Sequence, residues 1–334
     1  MAQNLFERLQ EKAKADPKKV AYPEATDEKI LQAARQVKDL GIGYPTLVGD
    51  ANAINEAAKK AGVSLDGIPI ADNTDAARVE QVINEYAKLN TLFPASSFKR
   101  MARDPMYYGL MLEAIGEIDC LVCGIAHTTG DVILAAQTII GLKEGISTVS
   151  SVGIHAIKGF EGPDGNLLAF ADCAVNPAPD SNQLADIAIT SAETTRVLLG
   201  WEPRVALLSF STRGSTTHER VDMVVEALKI AKEKRPDLLI DGEFQLDTAI
   251  NPAVAARKIK DPSPVAGKAN VLIFPNLDAG NIGVKIFTGF ADGGPGAGPL
   301  LQGFAKPVSD LSRGAPVANI VGATIAIIVL AQAQ

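Results

Sequence analysis

The stretch Val20-Ala-Tyr-Pro-Glu-Ala-Thr-Asp-Glu-Lys-Ile-Leu-Gln-Ala-Ala-Arg-Gln-Val-Lys-Asp-Leu-Gly-Ile-Gly-Tyr-Pro-Thr-Leu-Val48 decides the fold class. Val20-Ala-Tyr22 is a short apolar run broken by proline, so it reads as a strand running into the loop Pro23–Asp27. Asp27 is placed to cap the helix that follows, Ile30 to Leu40, which stops at Gly41. Pro45 to Val48 then reads as a second strand. A strand, a helix and a strand in such quick succession imply a mainly parallel sheet covered by helices on both faces.

Outward from this stretch the alternation continues. A helix over Leu5–Ala13 precedes it, and helices over Asn52–Ala61, Ala76–Leu89 and Tyr107–Ile115 follow. A strand over Cys120–Gly124 leads through the loop Ala126–Asp131 into a helix over Ile133–Ile140. A second series starts near Thr148: strands Thr148–Ile154 and Leu167–Ala171 flank the turn Glu161-Gly-Pro-Asp-Gly165 as a hairpin. The helix Ser181–Leu199, strand Val205–Phe210, helix Val221–Lys234 and strand Val271–Phe274 complete it. The chain thus divides into a first α/β domain of residues 1–147 plus 299–334 and a second of residues 148–298.

With 334 residues, 47% hydrophobic and 21% charged, the chain suits two globular domains. A net charge of -7 argues against a nucleic-acid surface, which needs a basic face. Three cysteines make no disulfide framework, and the opening Met1-Ala-Gln-Asn-Leu-Phe-Glu-Arg-Leu lacks the apolar core of a secretion signal, so the cytoplasm is the expected location. Val317 to Leu330 is strongly apolar but shorter than the roughly 20 residues a membrane span needs, and it reads as a buried helix.

Several loops after expected strands carry glycine with hydroxyl or amide donors: Gly124–Asp131, Ser209–Ser215 and Pro275–Gly283. Gly298-Pro-Leu-Leu-Gln-Gly-Phe-Ala-Lys-Pro-Val-Ser-Asp-Leu-Ser-Arg-Gly314 adds a hydroxyl and an obligate cation side by side in Ser312-Arg313, a pair suited to phosphate. Taken in order, Pro23–Asp27, Ala126-His-Thr-Thr129, Ala171–Pro177, Leu208–Ser215, Leu239–Asp247, Ala269–Gly283 and Lys306–Gly314 resemble the phosphotransacetylases, the phosphate acetyl- and butyryltransferase family, over nearly the whole chain.

The resemblance implies two α/β domains around a cleft, of the isocitrate/isopropylmalate dehydrogenase-like kind, usually in a homodimer. It implies reversible acyl transfer between acyl phosphate and coenzyme A: a base removes the thiol proton, the thiolate attacks the acyl carbonyl, and phosphate leaves. Coenzyme A is then a substrate, and no metal or redox cofactor is required. Ser312 is implied as donor to the tetrahedral oxyanion and Arg313 as phosphate clamp, while Thr128, Thr129, Gly298 and Pro299 match positions lining the family's cleft. Arg213 is a candidate for gripping the nucleotide end of coenzyme A.

The departures from the family's pattern sit in the same site. Asn319 stands where the family has the aspartate proposed as thiol base, Leu134 where it has an arginine, and Gly289, in Thr288-Gly-Phe290, where it has another. An upstream arginine-lysine segment is replaced around Ala87-Lys88, and a glycine-rich run Ala291–Gly298 follows. Besides a phosphate acetyltransferase, these changes suit a non-catalytic or regulatory paralogue that keeps the fold and coenzyme A binding, or an enzyme for a larger acyl phosphate. A dehydrogenase is disfavoured, because no Gly-x-Gly-x-x-Gly follows the first strand.

Other polar residues have plainer readings. Cys120 and Cys123 have the spacing of redox and zinc sites but lie in a buried-strand pattern with no second pair, so they read as structural. Cys173 reads as packed. His127 suits either orientation of a neighbour or simple packing, and His155 and His218 read as surface or loop residues.

Overall fold

The helix after Asp27 forms for reasons visible at its ends. Asp27 lies in extended backbone (φ -78°, ψ 130°), and its carboxylate accepts from the N–H groups of Lys29 and Ile30, two of the donors a helix start leaves without partners. The helix Glu28–Leu40 buries Ile30, Leu31, Ala33, Ala34 and Val37 and ends where Gly41 turns left-handed at φ 66°.

The computed structural model describes residues 2–290 and 297–334. The glycine-rich segment singled out in the sequence lies, over 291–296, outside the described residues. The described strands are β1 Lys18–Tyr22, β2 Gly43–Val48, β3 Ile70–Ala71, β4 Cys120–Cys123, β5 Ser150–Ala156, β6 Leu167–Ala171, β7 Arg204–Leu208, β8 Leu239–Phe244, β9 Val271–Ile273, β10 Ala297–Gln302 and β11 Val308–Asp310. Two compact units result: a terminal unit of Asn4–Lys143 with Phe304–Gln334, and a central unit holding Glu144–Gly303. The change-overs expected at Ser147 and Gly298 lie a few residues from these.

In the terminal unit the sheet runs β11-β4-β1-β2-β3 and every pairing is parallel. From β1 the chain moves to β2 and β3 on one side and then returns to β4 and β11 on the other, so the connections diverge between β1 and β4. The helix Val317–Ala331 packs against Glu28–Leu40, β1 and β4. Its one awkward group is solved locally: the fully buried Tyr22 hydroxyl meets Thr324 Oγ1 at 2.7 Å. Among the described residues no helix is long and apolar enough to cross a membrane.

The central sheet runs β10-β5-β6-β9-β7-β8, parallel from β6 to β8 and antiparallel across β10, β5 and β6. The expected hairpin is β5–β6. The helix Ser181–Leu199 is held at its start by the reciprocal bonds of Asp180 and Gln183, and it buries most of its length. Both units are α/β with mainly parallel sheets flanked by helices, as the alternation of elements predicts.

Three local expectations need correction. The helix expected from Ile133 begins at Thr129, because Thr128 and Asp131 form a capping box four residues earlier than the apolar pattern shows. Strand β8 has no counterpart in the sequence reading, since Asp241 and Glu243 interrupt its apolar run although both are buried. His155 is not a surface residue: it lies on β5 between the rings of Phe170 (centroids 4.9 Å) and Phe287 (5.6 Å), and burial lowers its pKa to about 4. Its neutral form is therefore favoured on folding. The associated stability, up to about 3 kcal/mol, is present above the unfolded value near 6.5 and is lost as pH falls toward 4. Thermal melts across this window are expected to show that loss in the natural chain and a flatter profile in His155→Leu.

Candidate functional site

The parallel strands β4 and β11 are neighbours, so their C-terminal ends open on one edge, next to the divergence between β1 and β4 where ligands of open α/β sheets bind. Leu311 N donates to Cys123 O at 2.7 Å and keeps the two chains together as they leave the sheet. The approach depends on Gly124, whose φ is 114°. A Cβ there would fall 2.2 Å from Asp310 Oδ1 and 2.4 Å from Leu311 N.

The loop after β4 is shaped from within by Glu24, in the Pro23–Asp27 loop after β1. Its buried carboxylate accepts from the backbone of Ile125 (2.8 Å), Ala126 (2.7 Å) and His127 (3.1 Å) and meets His127 Nδ1 at 2.8 Å. His127 Nε2 lies 3.8 Å from Asp104 Oδ2. The histidine is thus an anchored part of the loop. The backbone donors that suggested a phosphate cradle already hold this carboxylate.

The same occurs twice in the central unit. Asp172 accepts from Ser151 Oγ at 2.5 Å and from the backbone of Ala174, Val175 and Asn176, and Glu243 accepts from Ser211 Oγ and Gly214 N at 2.8 Å each. Hydroxyl- and glycine-rich loops in this chain are therefore closed by their own acids.

What remains open on the terminal edge is a short set of exposed groups. Thr128 caps the helix Thr129–Ile139, and Thr129 Oγ1 donates to Asp310 Oδ2 at 2.6 Å. Ser312 and Arg313 follow β11 after Leu311, are exposed, and Arg313 makes no side-chain hydrogen bond or ion pair to a described residue. Asp131 feels the guanidinium: its pKa is lowered, first by hydrogen bonds from Thr128 and then, more weakly, by the charges of His127 and Arg313. Asn319 is exposed in the first turn of Val317–Ala331. Leu134 is 60% exposed, one turn beyond Asp131 on the same helix face.

Asp310 is the residue that sequence reasoning missed. Its Oδ1 is buried with no hydrogen-bond partner among the described residues, and burial raises its pKa, with the charge of Glu24 adding to the rise and the Thr129 bond and the neighbouring Leu311 N–H opposing it. The available signal was its place two residues before Ser312.

Gly298, Pro299 and Arg213 belong to the central unit. Gly298 and Pro299 lie near the start of β10 and are exposed; a Cβ on Gly298 would fall 2.8 Å from Val152 O, so the chain lies close to β5 there. Arg213 is committed: its guanidinium binds the buried Asp241 at 2.6 Å and lies over the Phe244 ring at 5.4 Å. The same unit holds a cavity of about 960 Å³ lined by Phe210, Met223, Leu246, Phe274, Ile282 and Ile286, with Arg220 at its wall and Arg213 not part of it. This is the size of a pocket for a large small-molecule ligand.

Cys120 and Cys123 are free and fully buried, and burial pushes their thiols well up; Cys173 is pushed up to about 12 by burial and then Asp172. None has the depressed value of a reactive thiolate. Among the described residues no group of three or more His, Cys, Asp or Glu is placed to hold a metal.

Residues 4–329 match the family described as Phosphate acetyl/butaryl transferase. The chain is 42% identical over 331 residues to a phosphate acetyltransferase of Clostridium acetobutylicum, covering 98% of this chain and 99% of that one. A phosphotransacetylase structure from Staphylococcus aureus superposes with a TM-score of 0.89 at 34% identity, covering 99% of each chain. A 4-hydroxythreonine-4-phosphate dehydrogenase from Klebsiella pneumoniae shares the fold at TM-score 0.55 and 11% identity over 94% of this chain and 98% of its own.

Proposed function

The chain belongs to the phosphate acetyl/butyryl transferase family, and from that premise we propose that it moves an acyl group between phosphate and coenzyme A at the edge carrying Ser312 and Arg313. The observation that carries this reading is the exposed guanidinium of Arg313, bound to no described residue, beside the exposed Ser312 just past β11, next to the strand ends where the sheet connections diverge. Arg313 offers two parallel donors to phosphate oxygens. Ser312 donates to the acyl oxygen as negative charge gathers there. The thiol sulfur bonds to the acyl carbon, the bond from that carbon to the phosphate oxygen breaks, and phosphate leaves with the thiol's proton. The N-terminus of Thr129–Ile139 adds positive potential to the same edge.

Arg213, whose charge is taken by Asp241, is a poor grip for the nucleotide end of coenzyme A. Coenzyme A acts as a substrate, with no metal or redox cofactor, and the working form is a cytoplasmic homodimer, which sedimentation at assay concentration reads. The reading is tested by mixing the purified chain with acetyl phosphate and coenzyme A and following thioester formation. Coenzyme A binding without turnover of acetyl, propionyl or butyryl phosphate would instead mark a non-catalytic paralogue.

Leu134 favours a second reading, transfer of a larger acyl group, because it adds exposed apolar surface where the family carries an arginine. On this reading kcat/KM rises from acetyl to butyryl phosphate. Leu134→Arg restores a cation worth about 1.5–3 kcal/mol per phosphate hydrogen bond, so KM for acetyl phosphate is expected to fall roughly tenfold or more and the preference to shift to the short chain.

A further inference from the structure

Asn319 carries an amide, which takes up no proton at neutral pH, so faster thiol activation near pH 7 than the thiol's own ionisation gives calls for another acceptor on this edge. The carboxylates nearby differ in what they already do. Glu24 is saturated by three backbone N–H groups and His127. Asp131 is exposed and engaged by both the backbone and the hydroxyl of Thr128. Asp310 takes one side-chain hydrogen bond, from Thr129; the Leu311 N–H beside it favours its charge but is spent on Cys123 O, and its second oxygen has no hydrogen-bond partner among the described residues.

We propose that Asp310, acting through the Thr129 hydroxyl, takes up the proton of the coenzyme A thiol, the task that Asn319 cannot perform. The inference rests on the acyl-transfer reading and concerns the same edge. Thr129 is exposed, so with its proton directed at Asp310 Oδ2 the lone pairs of Oγ1 remain open to a donor from solvent or substrate. The 2.6 Å separation lies in the range of an O–H donating to a charged carboxylate. Burial makes the charged form of Asp310 costly and so strengthens its hold on a proton. The groups facing it are Glu24 from the β1 loop, with His127 bound to it, and the Cys123 thiol, which burial keeps neutral. Asp131 and Arg313 lie beyond Thr129.

The step balances. The thiol proton moves to Thr129 Oγ1 as Oγ1 passes its own proton to Asp310 Oδ2, and the sulfur electron pair forms the bond to the acyl carbon. The bond to phosphate oxygen breaks with its electron pair on phosphate. The proton then returns from Asp310 through Thr129 to the leaving phosphate, and Asp310 ends as the carboxylate it began as. Thr129 touches the substrate; Asp310 is a positioning residue behind it.

The test is the pH dependence of kcat/KM for thioester formation from acetyl phosphate and coenzyme A, in the natural chain, Asp310→Asn, Thr129→Val and Thr129→Ser. At pH about 7 the first two variants are expected to lose roughly 10²–10⁴-fold. That deficit shrinks about tenfold per pH unit as the thiol, of pKa about 8.5, ionises unaided. Thr129→Ser keeps the natural profile. Thr129→Val changes an exposed side chain and reads the relay even where Asp310→Asn fails to fold. A loss of the same size at every pH would make both residues merely structural and overturn the relay alone. A natural chain with no turnover at any pH would overturn the relay together with the acyl-transfer reading.

Discussion

Replacing Arg313 by alanine is expected to lower kcat/KM for acetyl phosphate by roughly 10²–10⁴-fold while leaving the fold unchanged. Two charge-assisted hydrogen bonds to phosphate are worth about 1.5–3 kcal/mol each, and every 1.4 kcal/mol or so is a factor of ten in rate. Because Arg313 is exposed and binds no described residue, its removal leaves no buried charge behind, and the melting temperature is expected to stay close to the natural one. Arg313→Lys keeps the charge without the planar fork and falls between the two. Steady-state kinetics beside thermal melts separate this outcome from misfolding. A variant that melts much earlier, or one that turns over normally, contradicts the role given to Arg313.

Gly124→Ala is expected to be the most damaging single methyl group at this edge. The backbone there has φ 114°, a conformation that costs a side-chain-bearing residue about 1–3 kcal/mol. The added Cβ would also fall 2.2 Å from Asp310 Oδ1, 2.4 Å from Leu311 N and 2.6 Å from Leu311 O, where backbone must move, for about another 1–3 kcal/mol. The predicted loss is therefore about 2–6 kcal/mol in denaturant unfolding. Any folded fraction should turn over poorly, because the displaced atoms lead directly into Ser312 and Arg313. A change below about 0.5 kcal/mol would show that β4 and β11 separate more easily than the structure implies.

How much of this was legible in the sequence depended on whether a segment's own chemistry matched its surroundings. The helix Glu28–Leu40 could be read because Asp27 and Gly41 mark its ends and its apolar residues share one face. Ser181–Leu199 could be read for the same reason, between Asp180 and Gly200. Strand β8 could not, because Asp241 and Glu243 are acids whose burial makes sense only once Arg213, Ser263, Ser211 and Gly214 are seen to hold them. The loops after β4 and β7 were legible as loops, but their occupants Glu24 and Glu243 come from other segments and no local pattern announces them, while Pro275–Gly283, read as a loop, is helical from Leu277. Ser312 and Arg313 stand out as a motif. The setting of Asp310, with Oδ2 held by Thr129 and Oδ1 turned against Gly124, is made by residues far off in sequence.

The central claim, acyl transfer at the Ser312–Arg313 edge, is tested most directly in the reverse direction, by following release of the free coenzyme A thiol from acetyl-CoA with and without inorganic phosphate. The predicted result is release by the natural chain that requires phosphate, yields acetyl phosphate in equal amount, and disappears in Arg313→Ala. Thiol release that ignores phosphate, or that survives the loss of Arg313, would contradict it.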